Sequence, residues 1–130
     1  MRIIIADDQK HARSGLRALL RASLAAPEIW EASNGTEAAR LADEVRPDLV
    51  LMDMRMPELD GLGATRLIKE RHPGVPVIVL SMQTTGGSDA LAAGADAFVS
   101  KGDGADRLLG LVMALAHASL RPPTLRRDRA

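Results

Sequence analysis

Short apolar runs rich in β-branched residues alternate with longer stretches of helical period, and this alternation constrains the fold more than any other feature. The runs are Arg2–Ala6, Glu28–Ala32, Asp48–Asp53, Val75–Ser81 and Ala95–Ser100. Bounded by turn residues and apolar on both faces, they read as buried parallel strands. Pro76 suits the first position of its strand, where no ladder donor is needed. Between the runs, Lys10–Ala25 carries Leu16, Leu19, Leu20 and Leu24 on one stripe. Thr36–Val45 follows an Asn34-Gly35 turn, with Asn34 or Thr36 available as its cap. Gly61–Arg71 and Asp103–Ala118 complete the strong helices. The fourth helix is weak. Thr84-Thr85-Gly86-Gly87 opens it poorly, leaving only Ser88–Ala93. A βα unit repeated in this way predicts a doubly wound parallel sheet with helices on both faces.

The chain has 130 residues, the size of one domain. Residues 1–118 are expected to form it, and 119–130, with Pro122-Pro123 and several arginines, to form a flexible linker or tail. Seventeen basic and seventeen acidic residues cancel, which argues against a domain that binds nucleic acid through its own surface. With no cysteine, disulfides, thiolate nucleophiles and zinc-cysteine sites are excluded. Trp30 and Phe98 are the only aromatics, so the core is aliphatic and no base-stacking surface is available. The apolar run after Met1 is too short for a signal peptide or a membrane span, and a cytoplasmic location with no membrane partner is expected.

In an open parallel sheet, ligands sit beyond the carboxyl ends of the strands. Asp7 and Asp8 follow the first strand, Asp53 ends the third, Ser81 the fourth, and Ser100-Lys101 close the fifth. Three carboxylates in one crevice repel one another, and a divalent cation relieves this. Magnesium suits a few carboxylates completed by water and phosphate oxygens. One carboxylate can then attack phosphorus, with a lysine balancing the charge and a hydroxyl donating a hydrogen bond. Asp53, Lys101 and Ser81 match those parts. Singly, each has a plainer reading: an N-cap pair, a turn aspartate, a solvated lysine, a strand-end serine. Four strand ends converging on one rim make the set informative.

These residues lie in Ile5-Ala6-Asp7-Asp8, Asp48-Leu-Val-Leu-Met-Asp53, Met56-Pro57 with Gly61, Leu80-Ser81, Gly94-Ala95-Asp96 and Lys101. Over roughly residues 1–118 the chain resembles the receiver domain of two-component response regulators. Glu31-Ala32-Ser33-Asn34-Gly35 and Val79-Leu80-Ser81-Met82 are similar to the subgroup with a C-terminal helix-turn-helix DNA-binding domain (LuxR/NarL-type). The resemblance implies a flavodoxin-like (βα)5 sandwich with strand order 2-1-3-4-5. It implies that Asp53 accepts a phosphoryl group from a sensor histidine kinase. It further implies Mg2+ (or Mn2+) on Asp8, Asp53 and the main-chain carbonyl of Arg55, with Asp7 acting through water or from behind. Lys101 would contact the phosphoryl group, Ser81 would move towards it, and Phe98 would turn inward into the vacated space. The output face would be the fourth helix, fifth strand and fifth helix, where phosphorylation can bring two copies together. DNA would be reached only through a C-terminal domain outside this chain.

Two departures matter. Gly102 stands where many receivers have proline after the lysine, so a trans bond and a looser Gly102-Asp103-Gly104 loop are expected. The interval from Ser81 to Lys101 is shorter than the commoner receiver spacing, with the deficit at the start of the fourth helix. Arg55 and Gln83, two residues past Asp53 and Ser81, flank the path of an attacking water and are candidate modulators of phosphoryl lifetime. His11, His72 and His117 share no evident geometry, and Met52, Met54 and Met56 read as packing.

Other functions fit less well. An aspartyl-phosphate hydrolase needs an acid two residues after its nucleophile, where this chain has Arg55. A flavin-binding protein of this fold needs a hydroxyl-rich phosphate loop, where Asp7-Asp8 would repel phosphate. The expected chain is therefore a switch that catalyses only its own phosphoryl transfer and loss. A stand-alone receiver or an interaction module independent of phosphorylation is the alternative.

Overall fold

Ile3, Ile4 and Ile5 retain no exposed surface, as a strand covered on both faces requires. They lie in β1 (Arg2–Ala6), the second strand from one edge of a parallel sheet ordered β2-β1-β3-β4-β5. In this computed structural model, residues 1–119 are described, with side chains through residue 115. The remaining strands are β2 (Glu28–Ala32), β3 (Leu49–Asp53), β4 (Val77–Ser81) and β5 (Ala97–Ser100). They alternate with α1 (Lys10–Ser23), α2 (Gly35–Val45), α3 (Gly61–Arg71), α4 (Gly87–Ala92) and α5 (Ala105–Ser119). The expected strand order and the shortened fourth helix, only 6 residues long, are both observed. Of the tail expected over residues 119–130, Ser119 instead belongs to α5, and residues 120–130 lie outside the described residues.

Strand alternation divides the core in two. Ile4, Val50, Met52, Val77 and Val79 pack with Ala38, Ala42, Ala64, Ile68 and Ala90 of α2, α3 and α4. Ile3, Ile5, Leu51, Ile78 and Leu80 pack with Leu20, Leu108 and Val112 of α1 and α5. Met52, Met54 and Met56 belong to the first cluster, in keeping with their reading as packing residues.

The element boundaries differ from expectation where a hydrogen bond with a distant partner takes the backbone first. Ala95 N donates to Ala90 O and closes α4, so β5 begins only at Ala97. Val75 N turns back to His72 O, and β4 begins after Pro76. Asn34, rather than Thr36, caps α2, its Oδ1 accepting from Glu37 N at 2.8 Å. The loop after Lys101 is not loose. Lys101–Asp103 forms a single 3-10 turn closed by a reciprocal cap between Ser100 and Asp103, and α5 starts only after Gly104. The peptide bonds of the described residues are all trans, including that before Gly102.

The register sets the carboxyl ends of the strands level with one another. Ala6 pairs with Ala32 and Met52, Asp53 with Leu80, and Ser81 with Ser100. Residues just past these pairs therefore share one rim.

Candidate functional site

Asp7 leaves β1 through a hydrogen bond from its amide to Ala32 O at 3.0 Å. Its carboxylate is buried and held from two sides, by Gln9 N at 2.9 Å and Lys101 Nζ at 2.7 Å. Lys101 Nζ also lies 3.2 Å from Asp53 Oδ1, so one ammonium bridges the ends of β1 and β3. Asp8, the next residue, is exposed. Asp7, Asp8 and Asp53 each offer a carboxylate oxygen, and the three oxygens lie within 4.8 Å of one another. That donor set, all oxygen and partly open to solvent, is the kind a hard divalent cation takes.

The charges are not independent. Burial, then the negative charge of Asp7, pushes the Asp53 carboxyl above the ordinary aspartate range, against the pull of Lys101. Burial alone would lower the Lys101 ammonium, but its hydrogen bond to Asp7 and the charges of Asp53 and Asp7 outweigh this and hold it above its usual value. The cluster thus holds more negative charge than one lysine neutralises, and a divalent cation fits the deficit.

Ser81 is buried at the end of β4, and its Oγ accepts from Gln83 N at 3.1 Å. It lines a cleft of about 180 Å3 together with Asp7, Asp53, Arg55, Gln83 and Lys101. Arg55 Nη2 donates to Gln83 Oε1 at 3.4 Å, so the two candidate lifetime residues touch. Phe98 is half-buried against the core face that α4 covers. A Cβ placed on Gly87 would come within 3.3 Å of its ring, so the glycine opening α4 leaves the ring its space.

A response regulator receiver domain model matches residues 3–113, nearly the whole described chain. The chain belongs to the response regulator receiver domain family. The transcriptional regulatory protein LnrK of Bacillus subtilis is 38% identical over 128 residues, which are 96% of this chain and 58% of that protein. The chemotaxis protein CheY of Listeria monocytogenes is 37% identical over 111 residues, 84% of this chain and 92% of that protein. A LuxR-family response regulator from Aurantimonas sp. SI85-9A1 superposes with a TM-score of 0.81 at 30% identity, covering 90% of this chain and 85% of that one. The chain spans 37% to 58% of the length of the Bacillus transcriptional regulators it matches. Among the described residues of this receiver domain, no helix is long and apolar enough to cross a membrane.

Two groups near or behind the site were not legible in the sequence. Arg13, read only as part of an amphipathic helix, donates from Nη1 to Asp7 O at 2.8 Å. His72 meets Asp43 Oδ1 at 2.7 Å, and Arg71 bonds the same carboxylate at 2.8 Å, tying α3 to α2. These contacts hold Asp43 below the ordinary aspartate range, His72 foremost.

Proposed function

We propose that this receiver domain is a phosphorylation-dependent switch whose phosphoacceptor is Asp53. The observation that carries the reading is the single ammonium of Lys101 bridging Asp7 and Asp53 inside a cluster of three carboxylates. Asp8, Asp53 and the main-chain carbonyl of Arg55 would hold Mg2+ (or Mn2+), with Asp7 reaching it through water or supporting it from behind. When bound, the cation supplies positive charge to the phosphoryl oxygens and relieves the repulsion among the carboxylates. An Asp53 oxygen attacks the phosphorus of a phosphohistidine on a sensor histidine kinase. The P–N bond breaks as the new P–O bond forms, and the departing imidazole keeps the electron pair and takes up a proton. Lys101 remains beside the transferred group as its counter-charge, and the Ser81 hydroxyl donates to one of its oxygens.

Ser81 and Phe98 then carry the signal: the serine moves towards the phosphoryl group and the ring follows it inward, shifting the population towards a second packing of α4, β5 and α5. Arg55 and Gln83, joined at the mouth of the cleft, govern how readily water reaches the acyl phosphate. The domain performs its own phosphoryl transfer and loss and no other turnover. Its cytoplasmic location and its control of transcription through a C-terminal DNA-binding domain outside this chain are part of the same proposal. Relatives named as transcriptional regulators, of which this chain matches only one part, support it. A stand-alone receiver is the second reading, supported by the near-complete coverage of the Listeria chemotaxis protein.

Incubation with acetyl phosphate and Mg2+, followed by intact mass measurement, tests the proposal. A single phosphoryl addition is expected, and Asp53→Asn should abolish it. No addition under any condition would favour an interaction module that works without phosphate.

A further inference from the structure

The turn that carries Asp7 and Asp8 lacks the support usual at the start of a helix. Gln9 occupies the N-cap of α1 without a side-chain cap, and the first turn of α1 holds no acidic residue. Asp7 is instead held at each of its polar points. Its amide donates to Ala32 O, and its two carboxylate oxygens accept from Gln9 N and Lys101 Nζ. The remaining point, its carbonyl, accepts from Arg13 Nη1 at 2.8 Å. That carbonyl belongs to the peptide plane whose other half is the amide of Asp8. Asp8 itself is exposed and has no hydrogen-bonded or ion-paired partner among the described residues. The plane that Arg13 grips therefore fixes the amide and Cα from which its side chain extends.

Arg13 is itself held. Its Nε donates to Glu31 Oε1 at 2.9 Å, and Arg17 Nε takes Glu31 Oε2 at 2.8 Å. Glu31 stands on β2 in register with Ile5 of β1, two residues before Asp7. This anchor occupies the Nε edge of the guanidinium and leaves Nη1 for the Asp7 carbonyl. Released from it, the same cation could swing onto the carboxylates and compete with a divalent ion.

We propose that Arg13, anchored by Glu31, is a positioning residue for divalent-cation binding, fixing the Asp7–Asp8 peptide so that the Asp8 carboxylate faces the ion. This rests on the metal reading given above. Loss of a positive charge beside three carboxylates would by itself tighten cation binding. Weaker binding on removing Arg13 therefore separates positioning from charge.

The test is titration of the full chain with Mn2+, free ion being counted by electron paramagnetic resonance, with urea unfolding run in parallel. Arg13→Ala should raise the Mn2+ Kd about tenfold, within the range found for groups that orient metal ligands. Arg13→Lys should recover only part of this, because a compact ammonium lacks the planar fork whose separate nitrogens reach Asp7 O and Glu31. Combining Glu31→Gln with Arg13→Ala should weaken binding no further than Arg13→Ala alone. At saturating Mg2+, phosphorylation of Arg13→Ala by acetyl phosphate should return to the parent rate. An unchanged Kd in Arg13→Ala beside a normal parent overturns the proposal, even if stability falls. So does additive weakening in the double variant, or a rate that stays low at saturating Mg2+. If Arg13→Ala does not fold, parent-like affinities in both Glu31→Gln and Arg13→Lys overturn it instead. A parent that binds no Mn2+ removes the metal reading and the role of Arg13 together.

Discussion

Asp53 is a carboxyl that its surroundings make costly to ionise. Burial first and the Asp7 charge next raise its pKa, and Lys101 only partly offsets them. A carboxyl whose folded pKa exceeds its unfolded value binds protons more readily in the folded chain. Its contribution to stability is then fully present below the unfolded value and is lost as the pH rises through the folded one. At pH 7 and without divalent cation, ionised Asp53 therefore costs stability, and Asp53→Asn should unfold at higher urea than the parent. The gain should shrink as the pH falls towards 3.8, the ordinary aspartate value. Urea unfolding of both proteins in chelator across that pH range measures it. A variant less stable than the parent at pH 7 would mean that the Lys101 contact outweighs burial. The members of this cluster were legible in the sequence, because a parallel sheet brings every strand's carboxyl end to one rim. Arg13 was not. Its contact with Asp7 O depends on β2 lying beside β1 with Glu31 level with Ile5, which no local pattern announces.

At the scale of elements, the sequence located all five strands and five helices, since each apolar run is long enough to bury a strand and four of the helices carry full stripes. Their ends were less legible, being decided by partners far away in the chain. Asp96 is one: its amide bonds Val77 O, and its carboxylate takes Val77 N at 2.8 Å and Lys69 Nζ at 3.0 Å, so it serves as a clasp before β5 rather than as part of it. The approach of α3 to the site also rests on one residue. A Cβ on Gly61 would lie 2.0 Å from the carbonyl oxygen of Asp53, a backbone atom that cannot step aside. Gly61→Ala should therefore lower stability by about 3 kcal/mol and slow phosphorylation, because it displaces Asp53. Gly15, within α1, has nothing within 4 Å of a built Cβ. Gly15→Ala should stabilise by roughly 0.5–1 kcal/mol from helix propensity alone. Urea midpoints of the two variants check the pair. Equal effects would show that contact with β3 imposes no demand for glycine at position 61.

For the molecule as a whole, the two sheet edges differ. β2 carries Glu28 and Glu31 along its edge, and charge of this kind discourages pairing with another chain. β5, Ala97–Ser100, carries none. The helices that touch β5 from either face are α4 and α5, and these bear Leu91 at 56% and Met113 at 53% exposure. Exposed apolar surface beside an uncharged edge is the kind that a second copy covers. The α4 helix, opened by Gly86 and Gly87 without a side-chain cap, is the shortest α-helix among the described residues. In the proposed switch, phosphoryl contacts to Ser81 would act at its border. Self-association is therefore expected to appear only when the switch is thrown. Sedimentation velocity should show a monomer for the free chain and a concentration-dependent dimer in beryllofluoride with Mg2+. Leu91→Glu should weaken that dimer about tenfold, equivalent to about 1.4 kcal/mol, while acetyl phosphate still labels Asp53 at the parent rate. If the activated chain stays monomeric at every concentration, β5 and its flanking helices have some other partner. If Leu91→Glu dimerises as the parent does, the contact lies elsewhere on the surface.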